Sequence, residues 1–164
     1  MKSTYKNKAG SGFTIIEVIL VLAIAGLIFL MVFIALPALQ RSQRNTQRRN
    51  DVALVLSQIN DYQTSNGGLI PTKAAAFGTF LTNYLGADFK APNGSPYKVS
   101  ATNTLADLER DNFLYVPEAK CNSTAANGVY ETGAGSRSAA VVIRLENSQR
   151  NDTKSGPYFC QDNQ

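Results

Sequence analysis

One acid stands alone among apolar side chains: Glu17 lies in a run over residues 13–39 that carries no other ionisable group. A carboxylate in such surroundings is costly unless paired, so its position asks for a partner. The next candidates for chemistry are Cys121 and Cys160, the chain's two cysteines. Arg41, Arg44, Arg48 and Arg49 form a basic cluster after the apolar run, and Asp107, Glu109 and Asp111 form an acidic one. The acidic trio lacks the ligand order of a calcium loop and reads as a solvated turn. Histidine is absent, which removes the commonest general base and the commonest zinc ligand. Two cysteines alone do not complete a four-ligand zinc site. Neither a G-x-S-x-G elbow nor a phosphate-binding P-loop occurs. The expectation is a protein that is not an enzyme and holds no metal and no cofactor.

The longest element is set by the apolar run. Residues 18–39 give 22 positions without a charge, close to the ~20 that a membrane-spanning helix needs. A secretory signal has an apolar core of about 7–15 residues closed by a small-x-small site. Here Ala23-x-Ala25 falls inside the run. A plain membrane anchor would explain the length but not Glu17. Pro37 removes one helical hydrogen bond and crowds the preceding turn, so a kink or local melt is expected near it.

Residues 40–64 contain neither Gly nor Pro, and Val52, Val55, Leu56, Ile59 and Tyr62 repeat at i, i+3, i+4, i+7. The helix should continue, amphipathic over 40–65, until Asn66-Gly67-Gly68 supplies a left-handed cap. At 1.5 Å per residue it would reach roughly 80 Å, more than a small domain covers. Its exposed apolar half must meet lipid or other helices.

The remainder, 66–164, has room for one small globular head. Thr72 should cap a short helix running to about Leu85, with Phe77, Phe80, Leu81, Tyr84 and Leu85 as its core face and Gly86 as its stop. Strands are expected at 97–101, 113–117, 139–146 and 158–161, joined by Asn-, Gly- and Ser-rich turns that favour an antiparallel sheet. Residues 122–137 are polar and Gly/Ala-rich, and read as an exposed loop. The fold class is α+β: a long N-terminal helix packed on a small antiparallel sheet.

The net charge of +4 resolves by location. Three leader lysines, Glu17 and the excess of Arg over Asp in 40–65 account for it, while 66–164 holds nine basic and nine acidic residues. The head therefore offers no gross footprint for nucleic acid, which is an unlikely or weak partner. The arginines after the apolar run are expected to snorkel to headgroups. Contacts to acids such as Asp51 or Asp61 on neighbouring subunits, or to DNA, are the alternatives.

Gly12-Phe13-Thr14-Ile15-Ile16-Glu17, after a basic leader with Lys2, Lys6 and Lys8, resembles the processing site of type IV prepilins and pseudopilins. The resemblance implies a leader over 1–12 that a membrane prepilin peptidase removes between Gly12 and Phe13, with methylation of the new Phe13 amine. It places Glu17 fifth in the mature chain, paired during assembly with the Phe13 amine of its own or a neighbouring subunit. Residues 13–39 would span the membrane and then form the core of a helical homo-oligomeric filament, driven by a cytoplasmic ATPase and a membrane platform protein. The precursor would be single-pass with its head outside the cytoplasm, and the product an extracellular pilus. Gly26 falls where the family often has a glycine, whereas Pro37 comes about one turn later than the family's proline. Pro92-Asn93-Gly94-Ser95-Pro96-Tyr97 looks like the Pro-x-Gly-x-Pro-Tyr turn of many major pseudopilins and some pilins, with Ala91 where those usually carry Asp.

In an exported chain Cys121 and Cys160 are expected to form a disulfide, worth roughly 4 kcal/mol by chain entropy. Two buried thiols are the alternative. Asn122-Ser123-Thr124 and Asn151-Asp152-Thr153 match glycosylation sequons. The function expected is a type IV pilus subunit for adhesion, twitching motility or DNA uptake. The alternatives are a major pseudopilin of a type II-like secretion system and a competence pseudopilus subunit.

Overall fold

The computed structural model describes residues 12–71, 74–100, 104–146 and 157–164. Two units divide the chain, Met1–Leu39 and Gln40–Gln164. Helix α1 (Ile15–Ser65) is long, and runs on through Gly26 and Pro37 without a break in its assignment. In the first unit its large apolar side chains are all exposed, from Phe13 at 89% to Val32 and Leu36 at 44%. Apolar length and composition qualify the helix to cross a membrane.

In the second unit α1 turns amphipathic, and Val52, Val55, Leu56 and Ile59 are buried as their spacing predicts. Tyr62 packs at the edge of the same core. The helix closes on Gly67 at φ +65°, and Gly68 N–H donates to the Gln63 carbonyl at 2.7 Å. That six-to-one bond satisfies a terminal carbonyl and needs a residue free to enter the left-handed region. Helix α2 (Ala74–Leu85) buries Phe77, Phe80 and Leu81. Its expected cap, Thr72, lies outside the described residues.

The sheet is where the expectation is corrected. Strands β1 (Lys98–Val99), β2 (Asn112–Pro117), β5 (Ala139–Arg144) and β6 (Tyr158–Asp162) lie in the order β1-β2-β5-β6. β2–β5 and β5–β6 are antiparallel, but β1 pairs with β2 in parallel, so the sheet is mixed. Connection 100–111 is about as long as a parallel crossover requires, and includes the turn Leu105–Asp107. A second correction falls in 122–137. Strands β3 (Ala119–Cys121) and β4 (Tyr130–Thr132) make a separate hairpin, so the loop is only partly loop and Tyr130 is buried.

β5 is buried along its whole length, and β2 through its interior. Phe113, Tyr115, Val141 and Ile143 face the core built with α1 and α2, while Leu114, Val116, Ala140 and Val142 join a second cluster with Leu108, Ala119 and Tyr130. A strand covered on both sides reads as a continuous apolar run, which accounts for Val141-Val142-Ile143.

Candidate functional site

The site begins where the sequence placed its chemistry. Thr14 precedes α1, and Glu17 stands in its first turn. Thr14 N–H and Thr14 Oγ1 both donate to Glu17 Oε2 at 2.9 Å, and Glu17 N–H donates back to Thr14 Oγ1 at 3.3 Å. This is a capping box: a Thr and a Glu three residues apart satisfy each other's orphan backbone donors. The Thr-x-x-Glu spacing was readable and went unread. Among the described residues Glu17 Oε1 has no hydrogen-bond partner, so one oxygen is engaged and the other is available.

Gly12 and Gly26 have no steric duty within the described residues, since a Cβ at either would meet nothing within 4 Å. Neither has the positive φ that excuses a glycine. In a helix interior Gly costs about 0.5–1 kcal/mol relative to Ala, so Gly26 weakens the isolated helix for no local gain. Phe13 is 89% exposed.

The arginine cluster is corrected more deeply. Arg48 is only 2% exposed. Its Nε and Nη2 donate to Asp111 Oδ1 at 2.9 and 2.7 Å, and its Nη1 donates to Glu146 Oε1 at 2.9 Å. Arg44 grips both Glu146 oxygens, Nε to Oε1 at 2.8 Å and Nη2 to Oε2 at 2.7 Å. Asn45 bonds the backbone N–H and carbonyl of Glu146, as a neighbouring strand would. Arg44 and Arg48 are therefore not headgroup anchors, and Asp111 is not a solvated acid. The reason is geometric: on α1 the two arginines are one turn apart and meet the chain leaving β5 and entering β2. The two hydrogen bonds from Arg44 hold the Glu146 carboxyl down to about 2, burial opposing and Arg48 adding to the effect.

Asp51 also finds its partner within the chain, accepting from the Tyr97 hydroxyl at 2.6 Å. Burial raises the Asp51 carboxyl, and burial together with Asp51 pushes the Tyr97 hydroxyl up. Tyr97 ends the compact turn, in which Ala91 N–H donates to the Ser95 carbonyl and Ser95 N–H to Asn93 Oδ1.

Cys121 and Cys160 are joined in a disulfide, with their Cα atoms 5.8 Å apart. It ties β3 to β6, and Cys121 N–H donates to Asp162 Oδ2 alongside. Asn122 is occupied by Thr124 and Glu131, and the second sequon lies outside the described residues. Among the described residues no group of His, Cys, Asp or Glu is placed to hold a metal. The chain matches no protein-family model, no curated protein and no solved structure.

Proposed function

We propose that the chain is a filament subunit of the type IV pilin kind, a structural protein without catalytic activity. The observation that carries the reading is Gly12-Phe13-Thr14-Ile15-Ile16-Glu17 at the head of an apolar run whose large side chains are all exposed over 13–39. In the membrane, lipid satisfies that surface. On assembly the helices leave lipid and bury it against one another, where close approach would use a glycine such as Gly26. A carboxylate entering that core needs a cation, and the amine released at Phe13 by loss of the leader is the one the processing pattern provides. Glu17 Oε1 is the oxygen left to receive it. Prepilin peptidase, an assembly ATPase and a platform protein are the partners this requires.

A pseudopilin is the second reading, favoured by the 92–97 turn and by Tyr97, which anchors that turn to Asp51. Imaging of cells decides between them: long surface fibres containing this chain fit a pilus, and their absence with secretion lost on deletion fits a pseudopilus. Mass spectrometry of the mature chain should begin at an N-methylated Phe13, and any other N-terminus overturns both readings.

A further inference from the structure

The second unit carries a polar hollow that the filament reading does not use. It is an open depression lined by Gln63, Thr64, Gly67, Gly68, Arg137, Asn163 and Gln164, with a volume of about 480 Å³, within the range of small-ligand sites. We propose that it binds a carboxylate-bearing sugar, the simplest being a hexuronic acid unit.

Its wall is braced from behind. Gln63 Nε2 and Asn163 Nδ2 both donate to the Arg137 carbonyl, at 2.6 and 2.9 Å. Asn163 Nδ2 also reaches Gln63 Oε1 at 3.1 Å, and its Oδ1 accepts from Ala139 N–H at 2.7 Å. The backbone of residue 137 is thus fixed, and its side chain crosses the bare face of Gly68. A Cβ at 68 would lie 2.9 Å from Arg137 Nε, so the glycine makes room for the guanidinium as well as for the helix cap.

Among the described residues the Arg137 guanidinium has no carboxylate partner, whereas Arg44 and Arg48 are both paired. A planar fork of donors matches a carboxylate in two parallel hydrogen bonds. Asn163 spends both its N–H groups inside the wall, but Gln63 Nε2 keeps a second N–H beyond its bond to Arg137, and Thr64 Oγ1, which donates to the Asn60 carbonyl, keeps its lone pairs for a sugar hydroxyl. Among the described residues no aromatic ring lines the hollow, so it lacks the stacking platform that single-stranded nucleic acid uses. The hollow is open, which suits weak, repeated contacts along an acidic polysaccharide.

The test uses the full chain in detergent micelles and does not depend on filaments forming. Digalacturonate should cause saturable NMR shifts at the Gly67 and Gly68 amides and at the Arg137 Nε–H. Lactose should bind at least tenfold more weakly. Arg137→Gln should weaken digalacturonate binding at least tenfold while leaving the remaining spectrum in place, and Arg137→Lys should fall between. No saturable shift, an equal response to lactose or to inorganic phosphate, or undiminished binding by Arg137→Gln would overturn the proposal.

Discussion

Glu17 Oε2 is already held by Thr14, while Oε1 is open among the described residues. Capping and assembly are therefore separable by chemistry. Glu17→Gln keeps a side chain able to cap, because Gln serves at this position of a capping box as Glu does, but it drops the charge. If the carboxylate only caps, Glu17→Gln assembles normally. On the assembly reading, both Glu17→Gln and Glu17→Ala lower filament yield at least tenfold at normal levels of processed subunit. Quantifying sheared filaments against membrane subunit checks this. Glu146 yields a second prediction at this scale. Its carboxyl is depressed from 4.5 to about 2, so its stabilising contribution is present above about pH 4.5 and lost as pH falls towards 2. That window is worth roughly 3 kcal/mol. Asp51 shifts the opposite way and offsets part of the loss. Urea unfolding at pH 6 and pH 2.5 should show the drop, and Glu146→Gln should flatten it.

The helix and its stripe were legible because 3.6-residue periodicity is a local signal. The capping box is equally local, carried by Thr14 and Glu17 three residues apart. The pairing of Arg48 with Asp111 and Glu146 was not legible, since the partners lie 63 and 98 positions away and a solvated acidic turn has the same composition. The parallel β1 was hidden for a similar reason, because strand propensity carries no direction. At this scale Arg48→Ala should destabilise the second unit by about 3–5 kcal/mol, the cost of leaving buried charges unpaired. Thermal unfolding followed by circular dichroism measures it. The proposed processing also belongs to an element, the segment around Gly12. With open space around its missing Cβ among the described residues, Gly12→Glu has no reason to disturb the fold, so on the proposed reading a block there would be a matter of recognition by the peptidase. Immunoblots should show uncleaved precursor in the membrane.

For the molecule as a whole, the count of two cysteines and the expectation of export were enough to place the bridge, though not the β3–β4 hairpin it fastens. Non-reducing peptide mapping should recover Cys121 linked to Cys160 in mature material. Removing the bridge should cost about 4 kcal/mol by the chain-entropy account. The same bridge also bears on how the chain responds to tension. The 39-residue separation of its cysteines is a closed ring that a pull on the two ends cannot straighten. At about 3.4 Å per extended residue, roughly 130 Å of chain stays locked away while the bond is intact. The chain under load would then lengthen by a limited amount and stop, and only a reductant would release the rest.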